Sequence, residues 1–213
     1  MASTARSIIN TGGTSVVVDI ECQLSNNLPL IVIVGYANKA VTEARERIRG
    51  AFASSRIRLP RKRITLNLAP ADLPKADSGF DLAMAVAILR ASGQVPVPIG
   101  RDQSAFIGEL GLDGSVRPVR GLIGKLLAGR ERGLTTFYVP GTNLAQAQLV
   151  PKISLVTIDR LSDLVAHLNG DDPLSVIATG KGRLEPVLTE VSGPQLSEVV
   201  GQDIAKRVLE IAA

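Results

Sequence analysis

Cysteine, histidine and aromatic residues are scarce in this sequence. Its 213 residues include one cysteine, one histidine and no tryptophan, and aromatic residues make up 3%. A lone cysteine excludes an internal disulfide framework and a multi-cysteine zinc site, and a lone histidine excludes metal sites built from several imidazoles. We therefore predict no metal site. The shortage of aromatic rings also argues against a surface that stacks the bases of single strands.

Long apolar runs and a targeting segment are missing as well. The longest apolar run, LPLIVIVGYA, is too short to span a bilayer, and the first residues, MASTARSIINTGG, are mixed and small. We expect a cytoplasmic protein with no membrane partner. Hydrophobic residues nonetheless make up 45% of the chain, which is enough for a packed core. The net charge of +4 hints at an anionic partner.

Apolar periodicity predicts alternating strands and helices. Two β-branched runs, Thr14–Leu24 and Leu30–Val34, indicate strands joined by a hairpin turn. The following stretch, NKAVTEARERIRGAFASS, has a helical period, and RKRITLNLAP is typical of a strand. The helix at FDLAMAVAILRAS is apolar nearly all round, which predicts burial on more than one side. A turn at Asp113-Gly114 is expected to join two short strands.

The composition changes after Asn169. Residues 170–194 are rich in glycine and proline with weak periodicity, which indicates a linker between a first domain at 1–169 and a helical segment at 195–213. The last helix has apolar residues but no capping signal and no further layer to cover them. We expect it to be the start of a further module.

Ser78 lies at the start of the apolar helix, where several hydrolases keep a nucleophile. Ser78 and Asp81 have the spacing of a capping box, in which the serine hydroxyl accepts from a first-turn amide and the carboxylate reaches back. A nucleophile would need a base and an oxyanion donor, and nothing local supplies the base. The capping role is therefore favoured over the catalytic one.

Two longer stretches resemble known families. PKADSGFDLAMAVAILRASG together with GELGLDGSVRPVRGLIGKLLAGRERG is similar to the proteolytic domain of Lon proteases. KRITLNLAPADLPKADSGFDL followed by FIGELGLDGSVRPVRG resembles more closely the N-terminal domain of the YifB/ComM family of magnesium-chelatase-like AAA+ ATPases. This resemblance covers most of 15–168. It implies an α+β, two-layer α/β sandwich of the Lon catalytic-domain type, within the ribosomal-protein second-domain-like superfamily.

The Lon resemblance implies a degenerate active site. Active Lon proteases use a serine and a desolvated lysine, and the ungapped alignment puts Gly79 at the serine position and Lys125 at the lysine position. Ile107 stands where a threonine is expected. We therefore expect no catalytic residue, and interpret Lys125 as a solvated lysine on an amphipathic helix. A Ser-Lys peptidase using Ser78 and Lys125 stays open as an alternative.

The sequence contains no phosphate-binding loop of the form Gly-x-x-x-x-Gly-Lys-Ser/Thr. We expect no cofactor in this chain. The segment VVGQDIAKRVLEIAA resembles the opening of an AAA+ module, so Val200, Gly201 and Gln202 are implied to lie near the nucleotide in a full-length protein. There the family implies ATP and Mg²⁺.

A basic stretch supplies the remaining functional signal. Between 45 and 63 the chain is dense in arginine, and such a patch can follow a phosphate backbone without reading sequence. The alternative is a solvated face in which Glu43 pairs with Arg47. The predicted DNA-binding residues are Arg45, Arg49, Arg56, Arg58, Arg61, Lys62 and Arg63.

The family resemblance gives these expectations a context. It implies a hexameric, ATP-driven DNA helicase that promotes branch migration when incoming DNA recombines during natural transformation. This chain would then be its non-catalytic N-terminal domain, contributing DNA contact, ring assembly or both. A purely structural oligomerisation domain is the other alternative, and it predicts rings without DNA binding.

Overall fold

The computed structural model describes residues 3–11, 14–35, 39–70, 79–100, 102–180 and 198–212. The chain divides into two units, Met1–Gly182 and Arg183–Ala213, and each is described by itself. The first unit is a mixed α/β arrangement of two four-stranded sheets, a short hairpin and five helices among these residues.

The first sheet has the order β1-β2-β4-β3. Its strands are β1 (Ser3–Thr11), β2 (Thr14–Ser25), β3 (Leu30–Val34) and β4 (Arg63–Ala69). Both predicted strands exist, but the hairpin between them is wrong, because β4 lies between β2 and β3 and runs parallel to β3. A parallel pair needs a crossover, and helix α1 (Lys39–Ser54) supplies it. Strand β1, which was not predicted, pairs antiparallel with β2.

The second sheet has the order β10-β9-β8-β5, with β10 antiparallel and the other strands parallel. Its strands are β5 (Ser104–Phe106), β8 (Thr136–Pro140), β9 (Ser154–Ile158) and β10 (Val176–Ala178). Two short strands, β6 (Glu109–Leu110) and β7 (Val116–Arg117), form a hairpin. The turn predicted at Asp113-Gly114 is confirmed, and Gly114 has the positive φ of 81° that such a turn requires.

The apolar helix lies at the centre of the first unit. This helix, α2 (Asp81–Ala91), is buried at every residue from Asp81 to Arg90, which confirms the predicted burial on more than one side. It packs against β1 and β2. The other helices of the unit are α3 (Leu122–Glu131), α4 (Leu144–Ala147) and α5 (Leu161–Asn169). A second apolar cluster forms under α3 from side chains such as Ile8, Leu126 and Phe137.

The predicted linker begins too early. Strand β10 lies within the segment predicted to be a linker and pairs with β9, so the first unit extends to Gly182 rather than ending at 169. Residues 181–194, the rest of the predicted linker, lie outside the described residues. The second unit contains helix α6 (Asp203–Ala212), none of whose residues is buried. No helix in the described part of the chain is both long and apolar enough for a membrane crossing.

Candidate nucleic-acid interface

The end of α1 turns the basic stretch towards the surface. The Ile57 amide donates to the Phe52 carbonyl (2.9 Å) and the Arg56 amide to the Ala53 carbonyl (3.1 Å), the two hydrogen bonds of a Schellman motif. Arg56 occupies the left-handed position of this motif with φ 56°, where glycine is usual. The apolar side chain of Ile57 packs against the core while Arg56 stays exposed. The motif therefore separates a partly buried apolar residue from an exposed cation.

Four predicted DNA-binding residues line one open groove of about 800 Å³. We call them the rim cations: Arg56, Arg58, Arg61 and Lys62. All four are exposed, and no aspartate or glutamate is among the lining residues. Since like charges gathered without local acids produce a positive potential, the groove is suited to an anionic ligand.

The groove also has an apolar floor, which we define as Leu24, Ile57, Ala91 and Val165. Each of these side chains packs on the hydrophobic core and is only partly buried. They come from β2, the loop after α1, the end of α2 and helix α5. The groove is therefore built by four separate parts of the chain.

Side-chain amides hold these parts in place. The Gln94 side-chain nitrogen donates to the Arg58 carbonyl (2.9 Å) and to the Ser92 hydroxyl (2.8 Å). The Asn169 amide nitrogen in turn donates to the Gln94 carbonyl (3.1 Å). These hydrogen bonds connect the basic loop to the ends of α2 and α5, so the groove is preorganised before any ligand arrives.

The remaining predicted DNA-binding residues lie outside this groove. Arg49 is exposed, forms a surface ion pair with Glu46 (3.4 Å), and lines a smaller hollow of about 120 Å³ together with Lys62. Arg45 is half-buried on α1 and Arg63 is exposed at the start of β4, and neither lines these two hollows. The structure thus brings together four of the seven predicted residues, and the sequence missed the polar residues Ser92, Gln94 and Asn169.

Arg47 has a structural partner. Its Nε lies 2.6 Å from Asp81 Oδ2 and its Nη2 3.1 Å from Asp81 Oδ1, and the Leu110 amide donates to the same carboxylate (3.2 Å). The Asp81 side chain is fully buried and that of Arg47 is 16% exposed. Burial raises the pKa of Asp81 to about 6, against the opposing effect of Arg47. The hydrogen bond to Asp81 raises the pKa of Arg47. This pair clamps α1 to α2 and β6.

The pairing corrects the predicted role of Asp81. Helix α2 starts with Phe80 at the N-cap position and no side-chain cap hydrogen bond, and the Asp81 carboxylate is directed to Arg47 and the Leu110 amide. Ser78 lies outside the described residues, so its capping role stays a prediction. A carboxylate ahead of an apolar run was an ambiguous signal, because it suits both a cap and a buried ion pair.

The positions of the Lon dyad lie in the interior. Lys125 is completely buried in α3, so the expected solvated lysine is wrong. The Gly79 carbonyl accepts hydrogen bonds from the Gly108 amide (2.8 Å) and the buried Ser7 hydroxyl (3.4 Å). Ile107, beside Gly108, packs in the apolar cluster that also contains residues of α3. At Gly79 and Ile107, the two positions where a serine and a threonine are expected in Lon proteases, this chain has no hydroxyl.

In the second unit, the residues implied to lie near a nucleotide precede helix α6. Val200 is 96% exposed, and the Gln202 carbonyl accepts from the Lys206 amide (3.0 Å) in the first turn of the helix. Gly201 and Gln202 both have positive φ, 72° and 60°. Their nucleotide contact stays a prediction.

With this geometry in place, comparison with known proteins gives the family. The family model described as subunit ChlI of Mg-chelatase matches residues 20–143, which include the basic stretch, α2 and α3. The chain belongs to this family. The predicted resemblance to magnesium-chelatase-like proteins is therefore confirmed.

Curated relatives extend the match over most of the chain. Competence protein ComM of Haemophilus influenzae is 37% identical, and the protein YifB of Escherichia coli is 34% identical, each over 92% of this chain. An uncharacterised protein of Mycobacterium tuberculosis is 36% identical over the same share. The chain spans 38% of the ComM and mycobacterial proteins and 37% of YifB. It corresponds to the N-terminal region of ComM/YifB-type proteins.

A more distant similarity reaches Lon proteases. An archaeal Lon protease of Methanothermobacter thermautotrophicus is 28% identical over 52% of this chain and 16% of its own length. This similarity agrees with the predicted resemblance.

Proposed function

We propose that this chain is the N-terminal domain of a ComM-type AAA+ ATPase that acts on DNA, and that the groove with the rim cations contacts the DNA backbone. The domain would have the two-layer architecture of the Lon catalytic domain but would be non-catalytic. In the whole protein, an ATP- and Mg²⁺-dependent hexameric ring would drive branch migration during the recombination of incoming DNA.

The observation that carries this proposal is the groove itself. Four exposed cations line one preorganised hollow, and no acidic side chain lines it. Contacts of this kind bind phosphates without reading bases and depend strongly on salt. The Haemophilus relative is named a competence protein, which supports a nucleic acid over other polyanions. The absence of a hydroxyl at Gly79 and Ile107 supports a binding role over a peptidase.

Charge reversal in the groove tests the proposal. The triple variant Arg58→Glu, Arg61→Glu, Lys62→Glu should weaken DNA binding by at least roughly tenfold. It should also reduce the slope of log affinity against log salt by about two, since each lost phosphate contact removes about 0.7–0.9. The measurement is fluorescence anisotropy of labelled DNA over a salt titration, with the 213-residue chain.

A matched control makes the same change in net charge elsewhere. Lys152→Glu, Arg160→Glu, Arg207→Glu reverses three exposed cations that do not line the groove. We expect this variant to retain most of the affinity and the slope. Equal losses in both triple variants would mean that only overall charge matters, and no loss in the groove variant would exclude the groove as the contact surface.

A further inference from the structure

The floor of the groove has a chemistry that phosphate binding does not use. Phosphate oxygens are recognised by cations and N–H donors, yet this groove is also lined by aliphatic side chains. Ala91 and Val165 are half-buried, with one side on the core and the other facing the groove. An anion held by the rim cations alone would leave this apolar surface in water.

The combination matches a nucleotide whose base is unpaired. In a duplex the faces of the bases are stacked inside, and the outer surface offers phosphates to the rim. In a single strand or at a junction, a base can leave the stack and place its apolar face on a protein surface while the flanking phosphates stay near cations. The floor lacks aromatic rings, so the contact would be aliphatic and weaker than a stacked one.

Resting on the proposed function, we infer that the floor of the groove binds unpaired bases and makes this domain favour single-stranded over duplex DNA. Val165 and Ala91 are then the residues that set this preference, and the rim cations supply affinity common to both forms. An acidic peptide with apolar side chains is the competing occupant. The four exposed cations on one loop, with no acidic lining residue, favour the phosphates of a nucleic acid, as does the similarity to a competence protein of Haemophilus.

The test lowers the apolar character of the floor without changing charge or size greatly. In the double variant Ala91→Ser, Val165→Thr, affinity for an oligothymidylate should fall by roughly three- to fivefold while affinity for a duplex of equal length stays unchanged. An abasic oligonucleotide of the same length and charge should bind the unaltered protein about as weakly as the oligothymidylate binds the variant.

The matched control is Ala145→Ser, Val97→Thr, which makes the same two changes at exposed positions outside the groove. We expect it to bind all three nucleic acids like the unaltered protein. Thermal melting of both variants checks folding, and if the double variant melts early, the single variant Val165→Thr and the abasic comparison carry the test.

The inference is overturned if abasic and normal oligonucleotides bind equally, or if the double variant weakens duplex binding as much as it weakens oligothymidylate binding. It is also overturned if a Glu- and Leu-rich peptide displaces labelled oligothymidylate at a lower concentration than unlabelled oligothymidylate does. The proposed function fails separately. It fails when the charge reversals leave the binding of every nucleic acid unchanged, whereas the inference alone fails when those reversals matter and the floor variants do not.

Discussion

Arg47 and Arg58 come from the same basic stretch of sequence and end in opposite surroundings. Arg47 lies against the fully buried carboxylate of Asp81, with two hydrogen bonds of 2.6 and 3.1 Å. Arg58 is exposed on the rim of a groove that has no acidic lining residue, and its backbone carbonyl is held by Gln94. Arg47 is therefore paired with a buried carboxylate, whereas Arg58 is exposed to solvent.

The difference separates structural charge from charge available for a ligand. A buried guanidinium needs a partner because its desolvation is expensive, so Arg47 and Asp81 depend on each other and contribute to the position of α1. An exposed cation has little effect on folding and can be exchanged without damage to the core. We therefore expect mutations at the buried pair to change stability and mutations at the rim to change binding.

The largest expected effect is at the buried pair. Asp81→Ala leaves the Arg47 guanidinium and the Leu110 amide without this acceptor, which should lower the free energy of unfolding by about 3–5 kcal/mol. For a chain of this length the melting temperature should fall by roughly 10 °C. Differential scanning calorimetry measures the change, and DNA affinity well below the melting temperature should be unaltered because Asp81 does not line the groove.

Glu46→Ala is the control for that experiment. Glu46 pairs with Arg49 on the same helix, but both side chains are largely exposed, at 67% and 42%. The expected loss is below about 0.5 kcal/mol. Equal destabilisation by Asp81→Ala and Glu46→Ala would contradict the larger contribution of the buried pair to stability.

The pKa of Asp81 predicts a dependence on pH of intermediate size. Burial raises this pKa from 3.8 to about 6, so between these values the folded protein binds a proton that the unfolded chain has already lost. The contribution of this group is therefore full below about pH 4 and is lost as the pH rises through 6, by up to about 3 kcal/mol. Removing the whole side chain is a different change, because it also takes the partner from Arg47.

Asp81→Asn isolates this effect. The unfolding free energy of the unaltered protein minus that of the variant should fall by about 3 kcal/mol from pH 4 to pH 7. Burial tends to raise the pKa of Asp102, but the Ser104 hydrogen bonds and the nearby Arg90 lower it below its usual value. The effect of Asp102 on the pH dependence of stability is therefore opposite to that of Asp81. Asp102 is present in both proteins and cancels in the difference. Urea denaturation at several pH values supplies the data, and a constant difference would contradict the raised pKa.

Whether the sequence predicts the surroundings of a residue depends on how far along the chain its contacts lie. Helical periodicity predicted α2 and its burial, because an apolar pattern reports its own local surroundings. The same pattern carried an unused signal at Lys125, which shares a helix face with the buried Leu122 and Leu126. Lysine is usually exposed, but the position of Lys125 on the buried face of α3 decides its burial.

The pairing of strands and side chains that are far apart in the chain could not be predicted from the sequence. The position of β4 between β2 and β3 depends on a crossover, which a strand pattern alone does not specify. The basic residues of the groove were visible as a run, but Gln94 comes from the loop after α2, and Val165 and Asn169 come from α5. Arg47 could be suspected only from its spacing to Ala44 and Ala51, two buried small residues on the same helix.

The smallest expected effect is at Arg56, where the two kinds of role meet in one residue. A non-glycine residue at φ 56° is strained by about 1 kcal/mol or more, while glycine adopts this conformation freely but adds entropy to the unfolded chain. Arg56→Gly should therefore raise the free energy of unfolding by up to about 1 kcal/mol and at the same time weaken DNA binding by a few-fold. Arg58→Gly is the matched control, since Arg58 has no positive φ and should lose both stability and affinity. Melting temperatures and anisotropy titrations on the two variants decide the matter. A less stable Arg56→Gly protein would contradict the backbone strain at Arg56. Unchanged DNA binding would contradict the role of its side chain in DNA contact.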